Sequence, residues 1–323
     1  MVDNDDIIKQ LEYYKLFDRA YAEKRIKLIR NPDAKFVHYT SAEAFLNIVK
    51  NREFWMRKTQ CMNDYSEFKH SLQQTIQSLK NGIDQKIKSA SDEIFPGAFD
   101  DAFRKLMLQI PEIEENTFIA CLSEHACDED HQGRLSMWRA YSRGTGVAIV
   151  MNKEPFSGID DSLKAYSTPI SYSTPQQLND EIIHLLNNLN NNKEAIQEQG
   201  KDMLASSLFL RFKNMILSLK HPGFREEREW RIFYNPTIEE SPYINIDIEC
   251  IDGIVQQVAK IQTVKKRKDG TDGTSLDTLI HEVIIGPTQY PSIIKEALSR
   301  VLEDAEVSKP ADRISISNIP LRT

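Results

Sequence analysis

Phe36-Val37-His38-Tyr39-Thr40-Ser41, followed by a second short apolar run at Phe54-Trp55-Met56, is the stretch on which the fold turns. The first run is β-branched and aromatic, which reads as a strand. Ser41 then stands in a capping position, and Phe45, Leu46, Ile48 and Val49 fall at helical spacing, so a short helix separates two strands. After the second strand, Cys61-Met62-Asn63-Asp64-Tyr65-Ser66-Glu67 forms a polar corner. Asn63 or Asp64 is suited to cap the helical pattern through Leu72, Ile76 and Leu79.

Working outward, Ile7, Leu11, Tyr14, Phe17 and Tyr21 recur at steps of three and four and predict one amphipathic helix over 1–30, ended by Asn31-Pro32-Asp33. Residues 70–115 read as helical with a break at Phe95-Pro96-Gly97, and a second helical stretch covers 174–220. Between them lie a buried strand at Thr117 to Leu122, a helical Ser136 to Tyr141 and a strand at Val147 to Met151. Strands return at Glu229 to Tyr234, Tyr243 to Ile248 and His281 to Pro287, before a final helix near Ser292 to Leu302. No fixed-period repeat and no linker interrupts this order, so the expectation is a single α+β domain over 1–323 with helical insertions.

Composition narrows the function classes. The 323 residues are 40% apolar and 28% charged, an ordinary globular balance. With 41 basic and 48 acidic side chains the net charge is −7, so a diffuse basic field for nucleic acid is absent and only a local groove is possible. Four scattered cysteines suit reduced thiols. The start lacks a basic segment followed by an apolar one, and no apolar run nears the roughly 20 residues of a membrane helix. A cytoplasmic protein with no membrane partner is expected. There is no glycine-rich dinucleotide fingerprint and no phosphate-loop lysine motif. Cys121, His125, Cys127 and His131 do not match the spacing of zinc knuckles, so no metal is predicted. Lys265 to Lys268 reads as a solvated hairpin tip.

Three groups can carry chemistry: His38-Tyr39-Thr40, Asn63-Asp64-Tyr65 with Glu67, and Glu227 with Glu229. In an extended chain, residues two apart share a face. Glu227, Glu229 and Arg231 then point one way while Arg228 and Trp230 point the other. The plainer meanings are a charge-paired strand surface for this segment, a helix cap for Asn63-Asp64, and core packing for Trp138 and Tyr141.

These groups, together with Cys121-Leu122-Ser123-Glu124, Met137-Trp138-Arg139 with Tyr141, and Ile285-Gly286-Pro287, give the chain its likeness to a known family. It resembles a bacterial family of uncharacterised proteins over about 36–150 and 220–290. More distantly, the order of His-Tyr-Thr strand, helix, short strand and Glu-x-Glu strand resembles the ADP-ribosyltransferase fold, including toxin and antiviral-defence members. The second resemblance implies a split antiparallel or mixed β-sheet core and NAD as co-substrate. It also implies an NAD-dependent mono-ADP-ribosyltransferase, an intracellular toxin or phage-defence effector modifying RNA, DNA or protein and restrained by a cognate antitoxin. Cleavage at the nicotinamide ribose passes through a sugar cation, which Glu229 would stabilise while Glu227 orients or deprotonates the acceptor. Which of the two is catalytic stays open. His38 would bond the ribose, and Tyr39, Tyr65 or Tyr141 would stack on nicotinamide. Thr40, Asn63, Asp64 and Trp138 would complete the NAD site, with Arg139, Arg143 or Arg231 on the pyrophosphate. This requires His38 and Glu229 to face one cleft. The Ser-Thr-Ser motif of arginine-modifying members has no counterpart here. Two further readings share the cleft: NAD hydrolysis with water as acceptor, and a non-catalytic sensor of a nucleotide or partner.

Overall fold

Two helices, α1 (Asn4–Tyr14) and α2 (Arg19–Arg30), lead into strand β1 (Lys35–Ser41) in a computed structural model that describes residues 4–61, 65–80, 82–142, 144–157, 163–251 and 253–320, with backbone alone at 65–67. The single helix expected over 1–30 is thus two. Asp18 accepts the Tyr21 N–H at 3.2 Å, and this cap starts a new helix where the apolar spacing alone suggested continuation. Next come α3 (Ala42–Asn51), β2 (Glu53–Lys58), α4 (Tyr65–Ser78), α5 (Ile83–Asp92) and α6 (Ala98–Asn116). The middle of the chain forms β3 (Phe118–His125), α7 (Leu135–Tyr141), β4 (Gly146–Asn152), α8 (Glu154–Ser157) and β5 (Ala165–Pro169). Helices α9 (Pro175–Asn191), α10 (Lys193–Gln197) and α11 (Lys201–Ser218) precede β6 (Glu229–Tyr234), β7 (Ile244–Ile251) and β8 (Ile254–Gln262). The last elements are α12 (Leu276–Leu279), β9 (Ile280–Ile285), α13 (Pro291–Asp304) and β10 (Ile314–Ile316).

The described strands make one ten-stranded mixed sheet in the order β10-β9-β4-β1-β3-β2-β8-β7, with β6 on β3 and β5 on β6. The β10 and β9 pair is parallel, whereas the β1, β3, β4 and β6 pairings are antiparallel. Strand β3 is the junction. One of its edges is held by β6 from Phe118 to Ser123. The other edge is shared: β2 pairs with Phe118 and Ile119, and β1 pairs with Ser123, Glu124 and His125. The sheet therefore divides along β3, and His38 Nδ1 lies 3.0 Å from the Cys121 carbonyl inside the division. A carbonyl only accepts, so this ring carries its proton on Nδ1.

Each face of the sheet buries its own core. Phe36, Phe118, Leu122, Ile149 and Trp230 pack with Phe45 and Val49 of α3 and Leu298 and Leu302 of α13. On the reverse face, Val37, Tyr39 and Val150 pack under Met137 and Trp138 of α7. Farther along that face, Ile119 and Phe233 lie beneath the helical layer that includes Leu106 of α6, Leu185 of α9 and Phe212 of α11. Burying each such side chain contributes about 1.5–3 kcal/mol, so α4–α6 and α9–α11 are held by the sheet rather than by their own propensity.

Candidate functional site

The segment before β6 builds the site. Pro222–Glu227 is a turn of 3-10 helix, and Arg228 takes the left-handed conformation at φ 44° to swing the chain into β6 at Glu229. Glu227 is therefore in a turn, not in the extended strand that the spacing predicted. The two carboxylates still meet, through Lys220, which no spacing in the motif marks. Lys220 Nζ bonds Glu227 Oε2 at 2.8 Å and Glu229 Oε2 at 3.1 Å. Arg231 Nε donates to Glu229 Oε1 at 2.6 Å, as expected of a residue sharing the face of Glu229.

Two cations and two anions thus compensate one another where water is scarce. Side-chain exposure is 3% for Lys220, 4% for Glu229 and 5% for Arg231, against 18% for Glu227. Burial pushes the Glu229 carboxyl up, but the Arg231 guanidinium and the Lys220 ammonium outweigh it and hold its pKa down to about 2. Glu229 is an anion fixed by its neighbours. Glu227 is the member of the pair with access to solvent.

Tyr172 accepts the Glu229 backbone N–H through its hydroxyl at 2.8 Å. Tyr141, at the end of α7, interacts electrostatically with Glu227, Lys220, Cys121 and Glu229. Burial raises the pKa of both phenols and the two carboxylates add to the effect, so both rings stay neutral. A cavity of about 400 Å³ opens beside Tyr172, Glu229, Lys24, Arg225 and Arg228. A shallower groove of about 680 Å³ adjoins it, lined by Arg134, Arg139, Arg225 and Arg228 with Glu129 and Glu226. Arg225 and Arg228 border both. Arg134 is spent on Glu129 and on the Glu124 and Glu226 carbonyls, and Arg228 also pairs with Glu129, which leaves the exposed Arg139 and Arg225 as the guanidinium groups best placed to meet a phosphate.

Of the residues singled out in the sequence, Tyr39, Trp138, Tyr141, Glu229 and Arg231 lie on one side of the sheet, with Glu227 joined to them by Lys220. Tyr39 and Trp138 are occupied as core. The Tyr39 hydroxyl accepts the Arg134 N–H at 2.8 Å, and its ring meets the Trp138 ring edge-on at 4.9 Å. Trp138 is 1% exposed and donates its indole N–H to the Gln132 carbonyl. Arg231 is likewise engaged with Glu229, whereas Arg139 is exposed in the open groove.

His38 and Thr40 lie on the other face. Strand register aligns Val37 with Ser123 and Ser123 with Glu229, so these three share a side. His38 alternates away from it, beside Ile149, and Thr40 beside Val147. The His38 ring packs edge-on against Phe54, and burial lowers its pKa. The shared cleft required of His38 and Glu229 is therefore not formed. Asn63, Asp64 and Arg143 fall outside the described residues, as does the side chain of Tyr65. Lys220 was hidden because it follows a long helical stretch, although the Pro222-Gly223 break after it signals the turn that folds it back onto Glu227 and Glu229.

A family model described as a protein of unknown function (DUF2971) matches residues 137–232. That span runs from α7 through the helical layer to the carboxylate strand, and it accords with the likeness to uncharacterised proteins. No curated protein and no solved structure matches the chain. Among the described residues, no helix is long and apolar enough to cross a membrane.

Proposed function

We propose that the protein is an NAD-dependent mono-ADP-ribosyltransferase in which Glu227 is the reactive carboxylate and Glu229 its positioning partner. The observation that carries this reading is the unequal carboxylate pair: one ionised and saturated by Arg231 and Lys220, the other more exposed and anchored by the same lysine. The sequence assigned the sugar cation to Glu229. Its burial and its two cationic partners favour giving that part to Glu227. In the reaction, the bond between nicotinamide nitrogen and ribose C1′ breaks and nicotinamide leaves with the electron pair. The acceptor forms a bond to C1′ and passes its proton to Glu227, whose charge opposes the developing cation. Tyr172, which lines the cavity, offers nicotinamide a neutral aromatic wall, and Arg139, Arg225 and Arg228 offer the pyrophosphate its contacts. Strand register defeats the form of this reading that set His38 and Glu229 on one ribose, so His38 has no part in this site and the proposal stands on the carboxylate pair and the arginines alone.

The arginine groove supports a nucleic-acid acceptor or an acidic protein surface. Such an activity inside a cell fits a toxin or phage-defence effector held in check by an antitoxin. The test is incubation with labelled NAD and cellular RNA, DNA or soluble protein, beside Glu227→Gln. Label transfer that the variant loses is expected. Free ADP-ribose without transfer makes the protein a glycohydrolase using the same site. No turnover by the folded wild type contradicts both and leaves a nucleotide-binding sensor.

A further inference from the structure

Away from the carboxylate pair, the end of β3, the loop after it and β9 bring together two imidazoles and two carboxylates. His125 Nε2 lies 2.9 Å from Asp130 Oδ1, and ligand atoms of His125, Asp130 and Glu282 all fall within 4.8 Å of one another. His131 Nδ1 bonds Glu282 Oε1 directly and holds that carboxylate from outside the set. We propose that His125, Asp130 and Glu282 bind a divalent transition-metal ion of the zinc class, with His131 orienting Glu282.

The His125 side chain is 1% exposed, and its Nδ1 is a buried polar atom with no hydrogen-bond partner. Its nearest carboxylate oxygen is Glu129 Oε2, at 4.0 Å. A histidine that ligates a metal through one nitrogen characteristically donates from the other to a carboxylate. An ion on Nε2 would place the proton on Nδ1, where the Glu129 carboxylate faces it across 4.0 Å. The donor chemistry agrees: one imidazole and two carboxylates balance a doubly charged ion and leave zinc a fourth position, whereas calcium and magnesium prefer all-oxygen cages. Lys35 Nζ lies 3.9 Å from Asp130 Oδ1 and supplies an opposing charge that a bound ion would take over. The exposed His131 leaves a path from solvent.

This is not the cysteine-containing set that the sequence spacing suggested and rejected. Cys127 is exposed, and Cys121 lies beside Glu229. Bound here, the ion would tie the loop carrying Glu129 and Arg134 to β9, and so fix one wall of the arginine groove.

The test begins with the full chain dialysed against a chelator and titrated with zinc or magnesium by calorimetry, with thermal unfolding alongside. One zinc per chain, a raised melting temperature and no comparable magnesium effect are expected. His131→Ala, an exposed change that spares the fold, should weaken zinc binding at least about tenfold, as should Glu282→Gln. Cobalt in place of zinc should give visible bands without thiolate charge-transfer absorption. Failure to prefer zinc over magnesium overturns the proposal. So does zinc affinity unchanged in both variants, or a thiolate band in the cobalt form.

Discussion

At the scale of single residues, the account rests on charges that compensate one another out of water. Glu229 is 4% exposed, and Arg231 and Lys220 hold its pKa near 2 against an ordinary value of 4.5. A depressed folded-state pKa stabilises the fold above the ordinary pKa, and that contribution fades as pH falls from 4.5 towards 2. Its size is on the order of 3 kcal/mol. Glu229→Gln removes the carboxylate that two buried cations face and should cost about 3–5 kcal/mol near neutral pH. Urea unfolding of both proteins across an acid series checks this: the gap between them should shrink as the pH drops. A gap that stays constant would show that the carboxylate charge does not act this way. The sequence made the acidic pair visible. It did not show that Lys220 joins them, because the lysine's partners are set by a turn rather than by strand spacing.

At the scale of elements, alternation and aromatic content exposed β1, β3, β4 and β6, and Ser41 marked the start of α3 correctly. Register between strands was not legible. A one-residue change in pairing sends every side chain to the opposite face, and only the tertiary contacts of β3 fix it. That is why His38 looked like a partner for Glu229 and lies instead beside Phe54. The break between α1 and α2 was missed for a related reason, since a capping aspartate leaves apolar spacing almost unchanged. One element carries a visible flaw. Pro111 lies inside α6, is exposed, and supplies no N–H to the helix ladder. Pro111→Ala should therefore stabilise the protein by roughly 1–3 kcal/mol, read as a raised urea midpoint with unchanged slope. No change in midpoint would mean the helix already accommodates the proline without cost.

At the scale of the whole molecule, the sheet separates two environments. One face is sealed by α3 and α13 and holds the His38 ring. The reverse face carries α7, the carboxylate cluster and the arginine groove. A mixed α+β chain with a helical layer was legible in the strand runs and the helical stretches, whereas the side from which the site opens was not. The division predicts different consequences for two residues that the sequence grouped together. His38→Gln loses or weakens the bond to the Cys121 carbonyl and should cost about 1–3 kcal/mol of stability without touching the chemistry. Glu227→Gln should leave the fold intact and remove the carboxylate proposed to react. The most direct test is nicotinamide release from NAD by the wild type and these two variants, measured below their melting temperatures. The account predicts a loss of about 100-fold or more in Glu227→Gln and near wild-type release in His38→Gln. Equal losses in the two variants, or no release by the wild type, would contradict it.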